Sequence, residues 1–416
     1  MWSADKKLFP ALATEPPHPE TGIIVVVPAC GEPDIIKLLD SLASCFQPQC
    51  HTEVFIIINA PPGASAEVIE NNLLAISNIE AWRKKAGALF FRLYVVDIGQ
   101  PSYKKWGVGM ARKTGMDEAF SRFQSIGKMN GVIVSLDADC TVQQNYFQAI
   151  EKELFNHSGR RACSIYFEHP LSGKEYPQEL YNAVVRYELH LRYYYQGLLH
   201  TGYPWVYHTV GSCMAVKAHA YAQAGGMNRR QAGEDFYFIQ KLLPAGGYFS
   251  LNSTTVYPSP RISDRVPFGT GAAVKNMVEK GMENFLTYNP HAFKDLRIFF
   301  GKVNKSSGSD LNELLKLYND LPDAVCQFVD PYEWEKKIKE IKQNTSSPAS
   351  FMKRFFGWFN MFRIIKFLNF GHNKGIYRKL PPGEATKKLF ELKGKWDVPQ
   401  DERELVIYLR NMERNE

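Results

Sequence analysis

Four short apolar runs dominated by β-branched residues limit what this chain can become. They are GIIVVVPAC (22–30), EVFIIINAPPG (53–63), LFFRLYVVDIG (89–99) and GVIVSLDADC (131–140). Helix-period segments separate them, at 32–46, 67–87 and 107–127. A strand that is apolar at every position needs both faces covered, and an intervening helix makes successive strands run parallel. The expected fold class is therefore α/β, a mostly parallel sheet flanked by helices. Ligands of such sheets bind beyond the carboxyl ends of the strands. The fourth run meets Asp137 and Asp139 at such an end.

Residues two apart in a strand point to one side, so extended geometry through Ala138 would aim both carboxylates at one small volume. Such a pair is stable when it shares a proton or flanks a cation. A plainer role for Asp139 is to help start the next helix, since Thr141 and Gln144 form a capping box ahead of VQQNYFQAIEKEL. A cap leaves Asp137 unexplained. No GxGxxG or GxxxxGK[ST] follows any strand, so a bound diphosphate would lack the usual backbone cradle. Mg²⁺ or Mn²⁺, which prefer carboxylate, water and phosphate oxygens, would then neutralise it.

From about Arg160 the pattern changes. RRACSIYFEHPLSG reads as a strand, and ELYNAVVRYELHLRYYYQGLLHTG as a long helix rich in tyrosine and arginine. GSCMAVKAHAYAQAGGM and GEDFYFIQKLLPAGGYFSLNSTTVYPSP then supply a strand, two helices and a strand. Beyond about Gly281 the sheet signals fade, and segments such as DLNELLKLYND and PYEWEKKIKEIKQN read as surface helices separated by Ser/Gly-rich connections. A formal charge of +7 over 416 residues suits a small anionic substrate or an acidic membrane surface and does not argue for nucleic acid. Seven scattered cysteines without a CxxC pair, no signal-peptide pattern and no apolar stretch of roughly 20 residues make a cytoplasmic protein the expectation.

Four stretches, in order over about residues 21–260, resemble the family 2 glycosyltransferases of the GT-A fold. VVVPACGEPDIIKLLDSL looks like their opening strand, loop and helix, and GVGMARKTGMDEA like their Gly-x-x-x-Ala-Arg-Asn-x-Gly helix, with Lys113 in the asparagine's place. SLDADC matches their Asp-x-Asp, and GGMNRRQAGEDFYFIQKL resembles their Gly-Gly-Phe…Glu-Asp segment. The resemblance implies an N-terminal arm at 1–20 and a GT-A catalytic domain at 21–275, with a nucleotide-binding half (21–140) and an acceptor half (141–275). A helical extension at 276–416 would follow.

It further implies that Pro28, Ala29 and Glu32 touch the nucleotide, with Asn59 where an aspartate often reads the base. Arg112 would lie near the nucleotide, the alternative for Arg112 and Lys113 being a solvated helix face. Asp137 would contact ribose or metal and Asp139 would ligate a Mg²⁺ or Mn²⁺ ion, the cofactor. Asp235 matches the general base of an inverting transfer, with Glu234 supporting it or binding acceptor. Helix starts also favour acidic residues simply through the macrodipole.

Where relatives carry a metal-binding histidine after the last strand, this chain has Tyr257-Pro258-Ser259-Pro260. His208 or His291 would replace it, or water would. Arg261, Arg265, Thr270 and Gly271 form either an anion clamp or a salt-bridged loop around Asp264. The tyrosine-rich helix either stacks on an acceptor sugar or packs as core. In FMKRFFGWFNMFRIIKFLNF (351–370) apolar groups surround most of the helical wheel, and the segment either lies at the inner face of a membrane, near a lipid-linked acceptor, or is a helix packed against the catalytic domain.

The expected activity is metal-dependent transfer of a sugar, of the hexose class, from a nucleoside-diphosphate sugar to a hydroxyl of a sugar, glycan or lipid-linked acceptor, with inversion through Asp235 or, as in related GT-A enzymes that share the Asp-x-Asp, with retention. A nucleotidyltransferase would also need a carboxylate-held metal, but PACGEP is a poor glycine-rich loop. A non-catalytic scaffold would not need Asp137, Asp139, Glu234 and Asp235.

Overall fold

The computed structural model describes residues 7, 9–32, 34–101, 107–228, 233–263 and 269–415. The chain divides into two units. One comprises Met1–Tyr181, Tyr207–Ala273 and Asn411–Glu416; the other comprises Asn182–Val206 and Val274–Arg410.

The first unit is built on an eight-stranded sheet. Its opening half alternates strand and helix: β1 (Thr21–Ala29), α1 (Ile36–Ala43), β2 (His51–Ile58), α2 (Ala66–Lys85), β3 (Phe91–Asp97), α3 (Val108–Ser125) and β4 (Val132–Ser135). β3, β2, β1 and β4 lie side by side and parallel. β1 and β4 expose no residue, as their unbroken apolar sequences require. The remaining strands are β5 (Thr141–Val142), β6 (Ala162–Phe167), β7 (Met214–Lys217) and β8 (Tyr248–Tyr257), and they complete the order β3-β2-β1-β4-β7-β6-β8-β5. β7 runs antiparallel to β4 and β6, so the sheet is mixed beyond its parallel half.

The capping box expected at Thr141 is not formed. Thr141 and Val142 pair antiparallel with Tyr257 and Val256 as strand β5, and α4 (Tyr146–Ile150) starts four residues after Val142. Long-range pairing outcompetes a cap worth about 1 kcal/mol. The chain continues as a π-helical turn over Glu151–Phe155.

Helix α3 departs from an amphipathic surface helix, being buried around most of its circumference. Gly115 permits this approach, because a β-carbon there would lie 2.3 Å from Val26 Cγ1. The helix's charges are compensated individually. Lys113 pairs with Asp117 at 2.8 Å, Arg122 holds Glu53 through Nε and Nη2 at 2.6 and 2.8 Å, and Glu118 accepts from Lys7 at 2.5 Å. Arg112 and Lys113 are each 3% exposed, which overturns the solvated-face alternative.

The second unit is helical. It takes its residues from α5 (Gln178–Thr201), which follows β6. The short α6 (Ala218–Gln223) and α7 (Glu234–Leu242) belong to the sheet unit, and α8 (Thr270–Lys280) begins there. The remaining helices are α9 (Pro290–Lys305), α10 (Leu311–Lys316), α11 (Asp323–Phe328), α12 (Pro331–Gln343), α13 (Pro348–Trp358), α14 (Met361–Asn373), α15 (Pro382–Leu392) and α16 (Glu402–Arg414).

On α5, Glu188 is fully buried between Arg192 and Arg410, each with a contact at 2.7 Å. Tyr193 is buried and donates to the Tyr288 carbonyl at 2.7 Å, while Tyr194 donates to Met361 Sδ at 3.6 Å. The tyrosine-rich helix is thus core.

The aromatic-basic segment 351–370 breaks at Phe359-Asn360 into α13 and α14. Phe351, Phe355, Phe356, Phe359, Ile364 and Phe367 are all buried. Arg363 lies over the Trp358 ring at 4.9 Å and pairs with Glu333 at 2.6 Å. Of the two alternatives for this segment, packing accounts for its apolar groups, which fill this unit's core. Among the described residues, no helix is long and apolar enough to cross a membrane.

Candidate functional site

β1 and β4 are adjacent, with Val26 opposite Ser135, so the loops after them start side by side. The first carries Glu32 and the second carries Asp137 and Asp139. β7 runs back from the same end, which brings Gly211 close, and α7 starts there with Glu234 and Asp235. The site is assembled from these segments, from α3, which supplies Arg112, and from the stretch after β8, which supplies Arg261.

Arg112 is the hub of one half. Its Nη2 donates to Asp137 Oδ1 at 2.7 Å and its Nη1 to Glu234 Oε1. Glu234 is almost fully buried, whereas the Asp137 side chain is 35% exposed. Asp235, half-buried, accepts from the Phe236 N–H at 2.7 Å and lies close against Gly211. A β-carbon on Gly211 would come within 2.8 Å of Asp235 Oδ2 and 2.9 Å of Arg112 Nη1. Glycine is therefore needed there for space.

Burial pushes the carboxyl groups of both Glu234 and Asp235 above the ordinary range, and Arg112 offsets part of that shift. For Arg112, burial opposes the charge, but Asp137, Glu234 and Asp235 outweigh it and keep the guanidinium firmly protonated.

Arg261 is the hub of the other half. Its Nε donates to Asp139 Oδ2 at 2.8 Å and its Nη2 to Glu32 Oε1 at 2.5 Å. The Asp139 side chain is 28% exposed and that of Arg261 25%. Its backbone N–H donates to Ser259 Oγ at 3.2 Å, and Ser259 Oγ lies 3.0 Å from the Tyr176 hydroxyl. The two aspartates that seemed to need one cation between them therefore each have a guanidinium of their own. Five carboxylates nonetheless surround two guanidinium groups, and the site remains formally negative among the described residues.

Other expected residues lie close by with different occupations. Pro28 and Ala29 end β1 and are buried. Asn59, 3% exposed, donates from Nδ2 to the carbonyls of Ala29 at 2.8 Å and Ile57 at 3.3 Å. It fixes the end of β1 through its amide. Thr270 Oγ1 lies 3.1 Å from His169 Nε2. Arg265, and Asp264 beside it, fall outside the described residues.

Neither candidate histidine is poised for a metal. His208 Nε2 lies 3.1 Å from Glu413 Oε2, and His291, at the start of α9, has Nδ1 3.1 Å from Asn289 Oδ1. Among the described residues, no group of three His, Cys, Asp or Glu side chains is arranged to hold a metal ion. Gly211 and the Tyr176–Ser259 brace escaped sequence reasoning. Only the turn-forming Gly-Ser ahead of the CMAVK strand hinted at the first.

No protein-family model matches this chain, and no curated protein matches it. Solved structures similar in fold to this chain at low identity include the following two. S. aureus TarS 1–349, in complex with UDP-GlcNAc, is 13% identical; the match covers 77% of this chain and 91% of that one, with a TM-score of 0.39. Glucosyl-3-phosphoglycerate synthase from Mycobacterium tuberculosis, in complex with Mn²⁺, UDP and phosphoglyceric acid, is 14% identical. That match covers 67% of this chain and 81% of the other, with a TM-score of 0.37.

Proposed function

We propose that this protein is a divalent-metal-dependent glycosyltransferase that moves a sugar from a nucleoside diphosphate to an acceptor hydroxyl with inversion. The observation that carries the reading is convergence. Residues from all four stretches that resemble the family 2 glycosyltransferases, Glu32, Arg112, Asp137, Asp139, Glu234 and Asp235, meet around two guanidinium groups at the carboxyl ends of β1 and β4.

The donor set fits a metal shared with the substrate. Asp137 and Asp139 offer hard oxygen ligands, and each is about one-third exposed. The lack of a third protein ligand among the described residues suits an ion whose other positions are phosphate and water rather than an all-protein cage. The negative balance of the site argues the same way, because an anionic diphosphate entering it needs added positive charge. When bound, the ion supplies Lewis-acid neutralisation of the leaving diphosphate.

Asp235 is the proposed base. The Phe236 N–H orients its carboxylate, and burial raises its basicity above that of an ordinary aspartate. It takes the acceptor hydroxyl proton as the new bond forms between acceptor oxygen and anomeric carbon. The bond from that carbon to the diphosphate oxygen breaks, and its electron pair leaves with the phosphate. Glu234 is held by Arg112 and keeps that guanidinium aimed at the site. Arg112 in turn restrains Asp137.

The test is turnover of sugar nucleotides, with and without Mn²⁺, by the wild type and Asp235→Asn. Metal-dependent release of nucleoside diphosphate in the wild type, lost at least a hundredfold in the variant with donor binding kept, is the expected result. Formation of pyrophosphate from a nucleoside triphosphate would instead establish a nucleotidyltransferase.

A further inference from the structure

The two arginines of the site differ in a way that has a functional consequence. Arg112 is 3% exposed and faces three carboxylates from two segments of the chain. It has nowhere to go. Arg261 is a quarter exposed and reaches its two carboxylates from a loop beyond β8. Its backbone is stiffened by Pro258 and Pro260 on either side of Ser259 and held by the Ser259 hydroxyl. With the backbone restrained in this way, Arg261 can rearrange through its side chain.

Its Nε occupies Asp139 Oδ2, on the carboxylate that would hold the proposed metal. A guanidinium and a divalent ion on one carboxylate oxygen repel each other at close range, and both are only partly screened by solvent. We propose that Arg261 is a resident counter-ion that blocks metal binding to the empty protein and is exchanged for metal when a nucleoside diphosphate arrives. The inference rests on the metal-dependent reading above.

In this scheme Asp139 passes from guanidinium to metal, and the released guanidinium swings to the incoming phosphate oxygens, a strong fork-type partner. Metal alone therefore binds weakly, and metal and nucleotide bind together. Glu32 keeps one contact to the side chain during the exchange and limits how far it travels.

The experiment is titration of the full-length protein with Mn²⁺, following free Mn²⁺ by electron paramagnetic resonance. It is done first without nucleotide and then with UDP, GDP or CDP. Arg261→Gln should bind Mn²⁺ alone at least tenfold more tightly than the wild type. The gain should vanish in the double variant Arg261→Gln/Asp139→Asn, and Arg261→Lys should stay near the wild-type affinity. With the preferred nucleotide present, the advantage of Arg261→Gln should shrink or reverse.

If Arg261→Gln changes Mn²⁺ affinity by less than twofold while Asp139→Asn removes metal-dependent nucleotide binding, the exchange is wrong and the metal-dependent transferase survives. If no form binds Mn²⁺ even with nucleotide, both fall. Should Arg261→Gln fail to fold, the comparison passes to Arg261→Ala, with the same tenfold criterion.

Discussion

Replacing Arg112 by methionine isolates the electrostatic centre of the site, because the side chain keeps similar bulk and loses its charge. Glu234, 2% exposed, would be left without its ion-pair partner, as would the more exposed Asp137. Breaking a buried pair by removing one member costs about 3–5 kcal/mol. The Asp137 arm adds little, since a one-third-exposed carboxylate recovers solvation. A loss of about 4 kcal/mol lowers the midpoint of thermal unfolding by roughly 10 °C in a domain of this size.

The loss should depend on pH, and its sign follows from linkage. Glu234 and Asp235 already titrate above the ordinary carboxylate range in the folded protein, and without Arg112 they would titrate higher still. The folded state then holds protons that the unfolded state has released. Stability falls as pH rises from the unfolded pKa, about 4, through the raised folded value. The deficit should thus be smaller at pH 5 than at pH 8. Urea unfolding followed by circular dichroism at both pH values measures it, and Arg112→Met/Glu234→Gln should recover part of the loss. A deficit below about 1 kcal/mol at pH 8, or one equal at both pH values, would refute Arg112 as the hub.

Two further substitutions test how the scaffold positions the site. Gly115→Ala drives a methyl group to 2.3 Å from Val26 Cγ1. It should cost about 1–3 kcal/mol in urea unfolding, with donor binding weakened as α3 and Arg112 shift; unchanged stability would mean the helix has room to move. Asn59→Asp sets carboxylate oxygens against the Ala29 and Ile57 carbonyls and should cost about 3 kcal/mol. Wild-type stability with altered preference among UDP, GDP and CDP would instead mark position 59 as a reader of the base.

The parallel half of the sheet was legible because its signal is local: unbroken runs such as Ile23–Val27 and Val54–Ile58 fit only strands covered on both faces. The site carboxylates were legible as well, since they sit in short motifs. Their partners were not. Arg112 meets Glu234 across 122 residues and Arg261 meets Glu32 across 229, separations at which no periodicity or spacing carries information. The same limit explains the failed cap at Thr141, where a strand partner more than 110 residues away decides the structure. In 351–370 the wheel was apolar on nearly all sides, a pattern shared by buried and membrane-associated helices. The break before Asn360, whose Oδ1 caps α14 by accepting from the Arg363 N–H, and the surrounding aromatic core decide for burial.

Calorimetric titration of UDP, GDP and CDP into the full-length protein, with and without Mn²⁺, addresses the central claim most directly. One of the three should bind with Mn²⁺ and at least tenfold more weakly without it, and Asp139→Asn should reduce binding to the metal-free level. Equal binding with and without Mn²⁺, unchanged in Asp139→Asn, would contradict a metal held between this carboxylate and the diphosphate.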